Sequence, residues 1–332
     1  MKITALIWSF IITLAVIHAG PVKRPDPQAQ CSKKRSKLLK RESLHSVELT
    51  ALEQQASGSG LYYIEYYGRM TVGTPAQTFN VIFQTGPSAA PWVIDSACRS
   101  PAFLDAWKFN SSKSTTYKAH PGTPWVVPYG GSGTAKVVEG VYGTDPLLVG
   151  NIALKDTGIG FAQKVYDRFA HHRVCGVLSL GPKMEASNST STFMKAVIDQ
   201  NVISDPVFSV YLPSSRHGRY ASGEIVFGGI DSRRFNGDLT WTPVIEGLDP
   251  STWAIQIDGI SFNDERLRTR KLAALNIAYP SIDVSKEAAE VFHKNIPGAR
   301  PNDGRWEVPC DLRNSATGSI SFTISGRASV FL

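Results

Sequence analysis

The stretch Tyr67-Gly68-Arg69-Met70-Thr71-Val72-Gly73-Thr74-Pro75-Ala76-Gln77-Thr78-Phe79-Asn80-Val81-Ile82-Phe83 holds the strongest local signal in the chain. Aromatic and β-branched residues run from Tyr62 to Tyr67 and again from Phe79 to Phe83, with Gly73-Thr74-Pro75 between them. That pattern predicts two strands joined by a turn. Moving outward, similar short runs recur at Trp125-Val126-Val127, Val137-Val138, Leu147-Leu148-Val149, Val207 to Tyr211 and Glu224 to Phe227. After Gly60, only Thr192 to Gln200 and Lys286 to Asn295 carry a helical pattern. A mostly-β, two-lobed protein is expected.

Composition fits this. Among 332 residues, 42% are apolar and 19% charged, with 28 Gly and 20 Pro, which excludes global disorder, collagen and coiled coil. The length suggests about two domains. The formal charge of +7 is concentrated near the N-terminus. Residues 20–57 hold eight Lys/Arg against four Asp/Glu, and Lys2 adds one more, so residues 58–332 carry only about +2. No nucleic-acid-binding surface is indicated.

Lys2 precedes an apolar run from Ile3 to Ile17, then His18, Ala19 and Gly20. This is the pattern of a secretory signal peptide, 1–19, cleaved after Ala19. The run is shorter than a membrane span needs, so the mature chain is expected to be secreted, with no membrane association. Residues 20–57 form a basic segment, helix-prone over Val47 to Glu53, that ends in the flexible joint Ala56 to Gly60. It reads as a solvated linker or as a propeptide covering an acidic groove. Two sequons, at Asn110 and Asn188, agree with the secretory route. Four cysteines (Cys31, Cys98, Cys175 and Cys310) allow three pairings and show no zinc spacing.

Familiar catalytic signatures are missing. There is no GxSxG elbow, no phosphate-binding glycine loop and no HExxH. The adjacent pair His171-His172 does not suit one metal ion. No metal or other cofactor is expected.

The stretch from Tyr67 to Phe83 closely resembles the first strands of pepsin-like aspartic peptidases. Further resemblances follow in order: Trp92-Val93 with Cys98, Phe109 to Tyr117, the flap-like Tyr129-Gly130-Gly131-Ser132-Gly133, Cys175 to Gly181, Ser204 to Leu212, and Gly223 to Val244. The resemblance implies a mostly-β, bilobal acid-protease fold with a cleft between the lobes. It divides the chain into an N-terminal lobe with interlobe strands, 58–243, and a C-terminal lobe, 244–332. The chain ends before the family's closing strands, so the second lobe is expected to be truncated and Cys98 and Cys310 to be free thiols. The family's chemistry uses one Asp from each of two Asp-Thr/Ser-Gly loops. The two share a proton, one activating water as base and the other acting as acid.

Both loops depart from that pattern. The first reads Gln84-Thr85-Gly86, an amide where the carboxylate is expected, and an amide cannot deprotonate water. The second is located by counting back from Ser281, which puts Ile277 at the Asp position. The chain is read as holding no Asp-Thr/Ser-Gly loop at all. Asp95 and Asp283 are the unfavoured substitutes: Asp283 lacks a following glycine, and Asp95 is read as a surface or loop residue. The expected function is therefore that of a secreted pseudopeptidase, a monomer binding a peptide or protein in its cleft through Thr85, Gly86, Tyr129 and Gly130. The alternatives are an acid endopeptidase with a non-standard dyad and a non-functional truncated product.

Overall fold

A computed structural model describes residues 44–56, 61–86, 90–100, 106–129, 136–165, 174–181, 192–213, 222–245, 252–262, 265–267, 272–278, 282–294, 296–302, 305–309 and 320–331. The signal-peptide segment, residues 20–43, Gly130, Asn188, Cys31 and Cys310 lie outside the described residues.

Ten strands make the principal sheet. They are β1 (His45–Ala56), β2 (Leu61–Val72), β3 (Gln77–Gln84), β4 (Trp92–Ile94), β5 (Lys118–Tyr129), β6 (Lys136–Val149), β7 (Ile152–Lys164), β8 (Gly176–Ser179), β9 (Phe208–Tyr211) and β10 (Gly223–Phe227). Their order is β5-β6-β7-β4-β8-β3-β2-β1-β10-β9. β6 returns to pair with β2, Met70–Val72 against Leu147–Val149, so the sheet folds back on itself. The turn between β2 and β3 falls at Gly73 to Ala76, and Gly73 has φ +85°. A side chain is disfavoured in that conformation.

β1 corrects the helix-prone reading of Val47 to Glu53. Val47, Leu49 and Ala51 are buried, while Ser46, Glu48 and Thr50 are exposed. That alternation has the period of a strand, and it outweighs the helical propensities of Glu, Leu and Ala. β1 pairs with β10 through His45–Leu49 and with β2 through Thr50–Ala56. The sheet thus begins at His45, inside the segment taken as propeptide-like.

The core of this sheet includes Phe83, Trp92, Phe109, Phe161, Phe193, Phe208 and Phe227, all fully buried. The two expected helices are present: α1 (Phe193–Asp199), capped by the Thr192 side chain, and α2 (Lys286–Lys294). A second, smaller core of Ile255, Ile257, Ile260, Phe262, Ala288 and Ile296 is built by the later strands. These are β11 (Ala254–Gln256), β12 (Gly259–Phe262), β13 (Glu265–Leu267), β14 (Leu272–Ala274), β15 (Arg300–Asn302), β16 (Arg305–Glu307), β17 (Ile320–Ile324) and β18 (Arg327–Phe331). β11 pairs with β14, β15 with β16, and the remaining four run in the order β13-β12-β17-β18.

Candidate active site

The first loop leaves the end of β3. Gln84 lies in parallel register with Ser179 of β8, and its carbonyl accepts the Leu180 N–H at 2.8 Å. Gln84 is 8% exposed and Thr85 2%. The second loop follows β14 and spans Leu275 to Ala278, all half-buried. Trp253 braces both loops. Its indole N–H donates to the Leu180 carbonyl at 2.8 Å, and its own carbonyl accepts the Leu275 N–H at 3.0 Å.

Thr85 closes the bracket. Its hydroxyl donates to the Leu275 carbonyl at 2.8 Å and accepts the Ile277 N–H at 3.1 Å. Those two bonds straddle Asn276. Gly86 is held against the same residue: a Cβ there would lie 2.7 Å from Asn276 Nδ2. A side chain at position 86 would have to displace the Asn276 amide. Asn276 Oδ1 in turn accepts the Ala278 N–H at 3.1 Å. The Ile277 side chain packs against the larger core, and only its backbone reaches Thr85.

The other candidates lie elsewhere. β4 runs antiparallel to β8, with Trp92 opposite Val177 and Val93 opposite Gly176, and the Ile94 N–H donates to the Cys175 carbonyl. Asp95 follows, so it lies at the far end of β8 from Gln84, about five residues or ~16 Å along the strand. It is 7% exposed, which corrects the surface reading. Its Oδ1 accepts the Ala97 N–H at 2.6 Å. Burial raises its carboxyl above the usual range, with the Ala97 bond opposing. Asp283 is exposed, three residues ahead of α2.

The expectation that the chain lacks the triplet altogether fails at Asp156-Thr157-Gly158. This triplet lies within β7, not in either loop. Asp156 is 63% exposed and pairs with Lys118 at 2.7 Å. β7 stands three strands from β3 in the sheet order, ~14 Å at ~4.8 Å per strand.

Tyr129 ends β5, and its hydroxyl accepts the Trp92 indole N–H at 2.8 Å. The rings meet edge to face with centroids 6.4 Å apart. Tyr129 is thus oriented by Trp92, a residue whose role the sequence did not reveal. Asn110 is half-buried and caps a 3-10 turn, its Oδ1 accepting the Ser112 N–H at 3.0 Å. Cys98 and Cys175 are buried free thiols. Among the described residues, no cluster of three or more His, Cys, Asp or Glu could hold a metal ion.

A family model described as eukaryotic aspartyl protease matches residues 65–331. The chain belongs to the eukaryotic aspartyl protease family. Cathepsin E-A of Xenopus laevis is 34% identical over 266 residues, covering 79% of this chain and 64% of that protein. Rhizopuspepsin-3 of Rhizopus niveus is 34% identical over 274 residues, covering 79% and 65%. Cathepsin E of Oryctolagus cuniculus is 32% identical over 286 residues, covering 84% and 69%. The chain spans just under two thirds of the length of the first two relatives. Family membership accounts for the mostly-β, pepsin-like fold and for the ordered motifs from Tyr67 to Val244.

Proposed function

We propose that this aspartyl protease homologue is secreted, does not hydrolyse peptide bonds, and binds a peptide or protein segment between its two loops. One observation carries the reading: the loops joined by Thr85 bring together Gln84, Leu275, Asn276 and Ile277, and none of these side chains has a carboxyl group. Water activation in this family requires a carboxylate base and a carboxylic acid facing the same water. A carboxamide offers a donor and an acceptor but takes up no proton at physiological pH. The framework around the loops is nevertheless intact, from the Trp253 brace to the Trp92–Tyr129 pair. Retained positioning with no acid or base favours binding over turnover.

Secretion is supported by the Lys2-led apolar run and its small residues at Ala19-Gly20. Among the described residues, no helix is long and apolar enough to cross a membrane.

Titration of the purified full chain with pepstatin, the transition-state-like inhibitor of the family, tests the binding role. Saturable binding to a folded protein is expected. A folded protein with no affinity at any pH from 3 to 7 would overturn it.

A further inference from the structure

We propose that Asn236 is a site of spontaneous covalent modification: its side-chain amide is lost to attack by the Gly237 main-chain nitrogen, so that the chain gains a carboxylate, in part as an isoaspartyl linkage, at this position. The inference is independent of the binding role proposed above.

Asn236-Gly237 is the only Asn-Gly pair in the sequence. It lies between the 3-10 turn Ser232–Arg234, which follows β10, and β11. Both residues are exposed and belong to no helix or strand. Gly237 has φ +76°, and a Cβ there would meet nothing within 4 Å. Neither the Asn236 side chain nor the Gly237 N–H makes a hydrogen bond among the described residues. The segment is anchored on both sides of the pair. Upstream, Arg234 bonds to Glu224 at 2.8 Å. Downstream, Arg327 donates to the Asp238 carbonyl at 3.3 Å and Ser325 to the Trp241 carbonyl at 3.2 Å. The two reacting groups are thus adjacent, unhindered and unoccupied.

The chemistry follows from that placement. A base of the solvent takes the Gly237 amide proton, and the nitrogen attacks Asn236 Cγ. The Cγ–Nδ2 bond breaks, Nδ2 takes up a proton, and ammonia leaves. The product is a five-membered cyclic imide, in which Gly237 nitrogen is bonded to both carbonyl carbons of residue 236. Water then opens the ring. Addition at Cγ gives aspartate. Addition at the main-chain carbonyl gives isoaspartate, whose backbone runs through Cβ and Cγ and is longer by one carbon. That extra atom falls between the Arg234 and Asp238 anchors, where the described residues make no bond that it would break. Glycine favours the first step because no Cβ shields its nitrogen.

Other asparagines lack this combination. Asn276 Oδ1 accepts the Ala278 N–H, and the attacking position is filled by the Ile277 N–H, which donates to Thr85. Asn201 precedes Val202, whose N–H donates to the Val197 carbonyl at 3.1 Å. Asn110 is followed by serine, and its Oδ1 accepts the Ser112 N–H.

The test is a peptide map of the purified full chain, by chromatography and mass spectrometry, before and after incubation at pH 7.5 and 37 °C. The expected result is progressive exchange of NH2 for OH at Asn236, with isoaspartate beside aspartate in the product, while Asn110, Asn201 and Asn276 keep their amides. Isoaspartate identifies the cyclic route, because direct hydrolysis gives aspartate alone. Asn236→Gln would have to close a six-membered ring, and it is expected to abolish the acidic band that appears on isoelectric focusing of the incubated native chain. Circular dichroism controls for folding. An Asn236 amide that survives incubation of the folded chain overturns the proposal. So does exchange confined to the denatured chain, exchange that yields aspartate alone, or an acidic band that persists undiminished in Asn236→Gln.

Discussion

Thr85 bonds to two backbone groups that lie about 190 positions further along the chain, and it is the residue on which the site's geometry depends. Thr85→Val keeps the shape and removes the hydroxyl, leaving the Leu275 carbonyl and the Ile277 N–H without it. The expected cost is about 2 kcal/mol, seen as a fall of roughly 5 °C in Tm by calorimetry. Asp95 gives a prediction with a defined pH sign. Burial raises its carboxyl, so the folded chain holds that proton more tightly than the unfolded chain does. Stability from this group is fully present below the unfolded value and is lost as pH rises through the raised folded value. Asp95→Asn keeps an oxygen for the Ala97 N–H. The variant is therefore expected to match the native protein near pH 3 and to gain on it towards pH 7, measured by denaturant unfolding at each pH. Gln84 was legible in the sequence because the loop follows directly from the β3 pattern. The register of the second loop was not, because counting back from Ser281 fixes no contact with the first loop. Only the cross-loop bonds of Thr85 set that register.

At the scale of elements, β1 shows what propensity alone conceals. Val47, Leu49 and Ala51 alternate with polar residues, yet Glu48, Leu52 and Glu53 suggest a helix by composition. Tertiary pairing decides, since β1 bonds to β10 over its first half and to β2 over its second. A chain starting at residue 44 is expected to fold cooperatively, whereas one starting at residue 57 would expose the edges of β2 and β10 and aggregate. Size-exclusion chromatography and thermal unfolding of the two proteins check this. Most other strands were legible because their β-branched and aromatic runs sit between glycine or proline turns. The braces were not legible: Trp253 and Trp92 read as core residues, and their indole N–H bonds depend on partners brought close only by the folded sheet.

For the whole molecule, the fold retains the architecture of an aspartyl protease while the junction of its loops holds amides. The large core, from Val47 to Trp253, carries the first loop and reaches Leu275, Ile277 and Ala278 of the second. The smaller core of Ile255 to Ile296 supports the strands behind the second loop. Carboxylates exist elsewhere in the chain. Asp95 is buried at the far end of β8, Asp156 is ion-paired on β7, and Asp283 is exposed before α2. The Thr85 bracket has no carboxylate among its own two bond partners, which is the basis of the proposed lack of hydrolysis. The measurement that tests this most directly is hydrolysis of a mixed fluorogenic peptide library by the purified, folded protein from pH 3 to 7, with and without pepstatin. The account predicts no cleavage at any pH. Cleavage that pepstatin abolishes would contradict it.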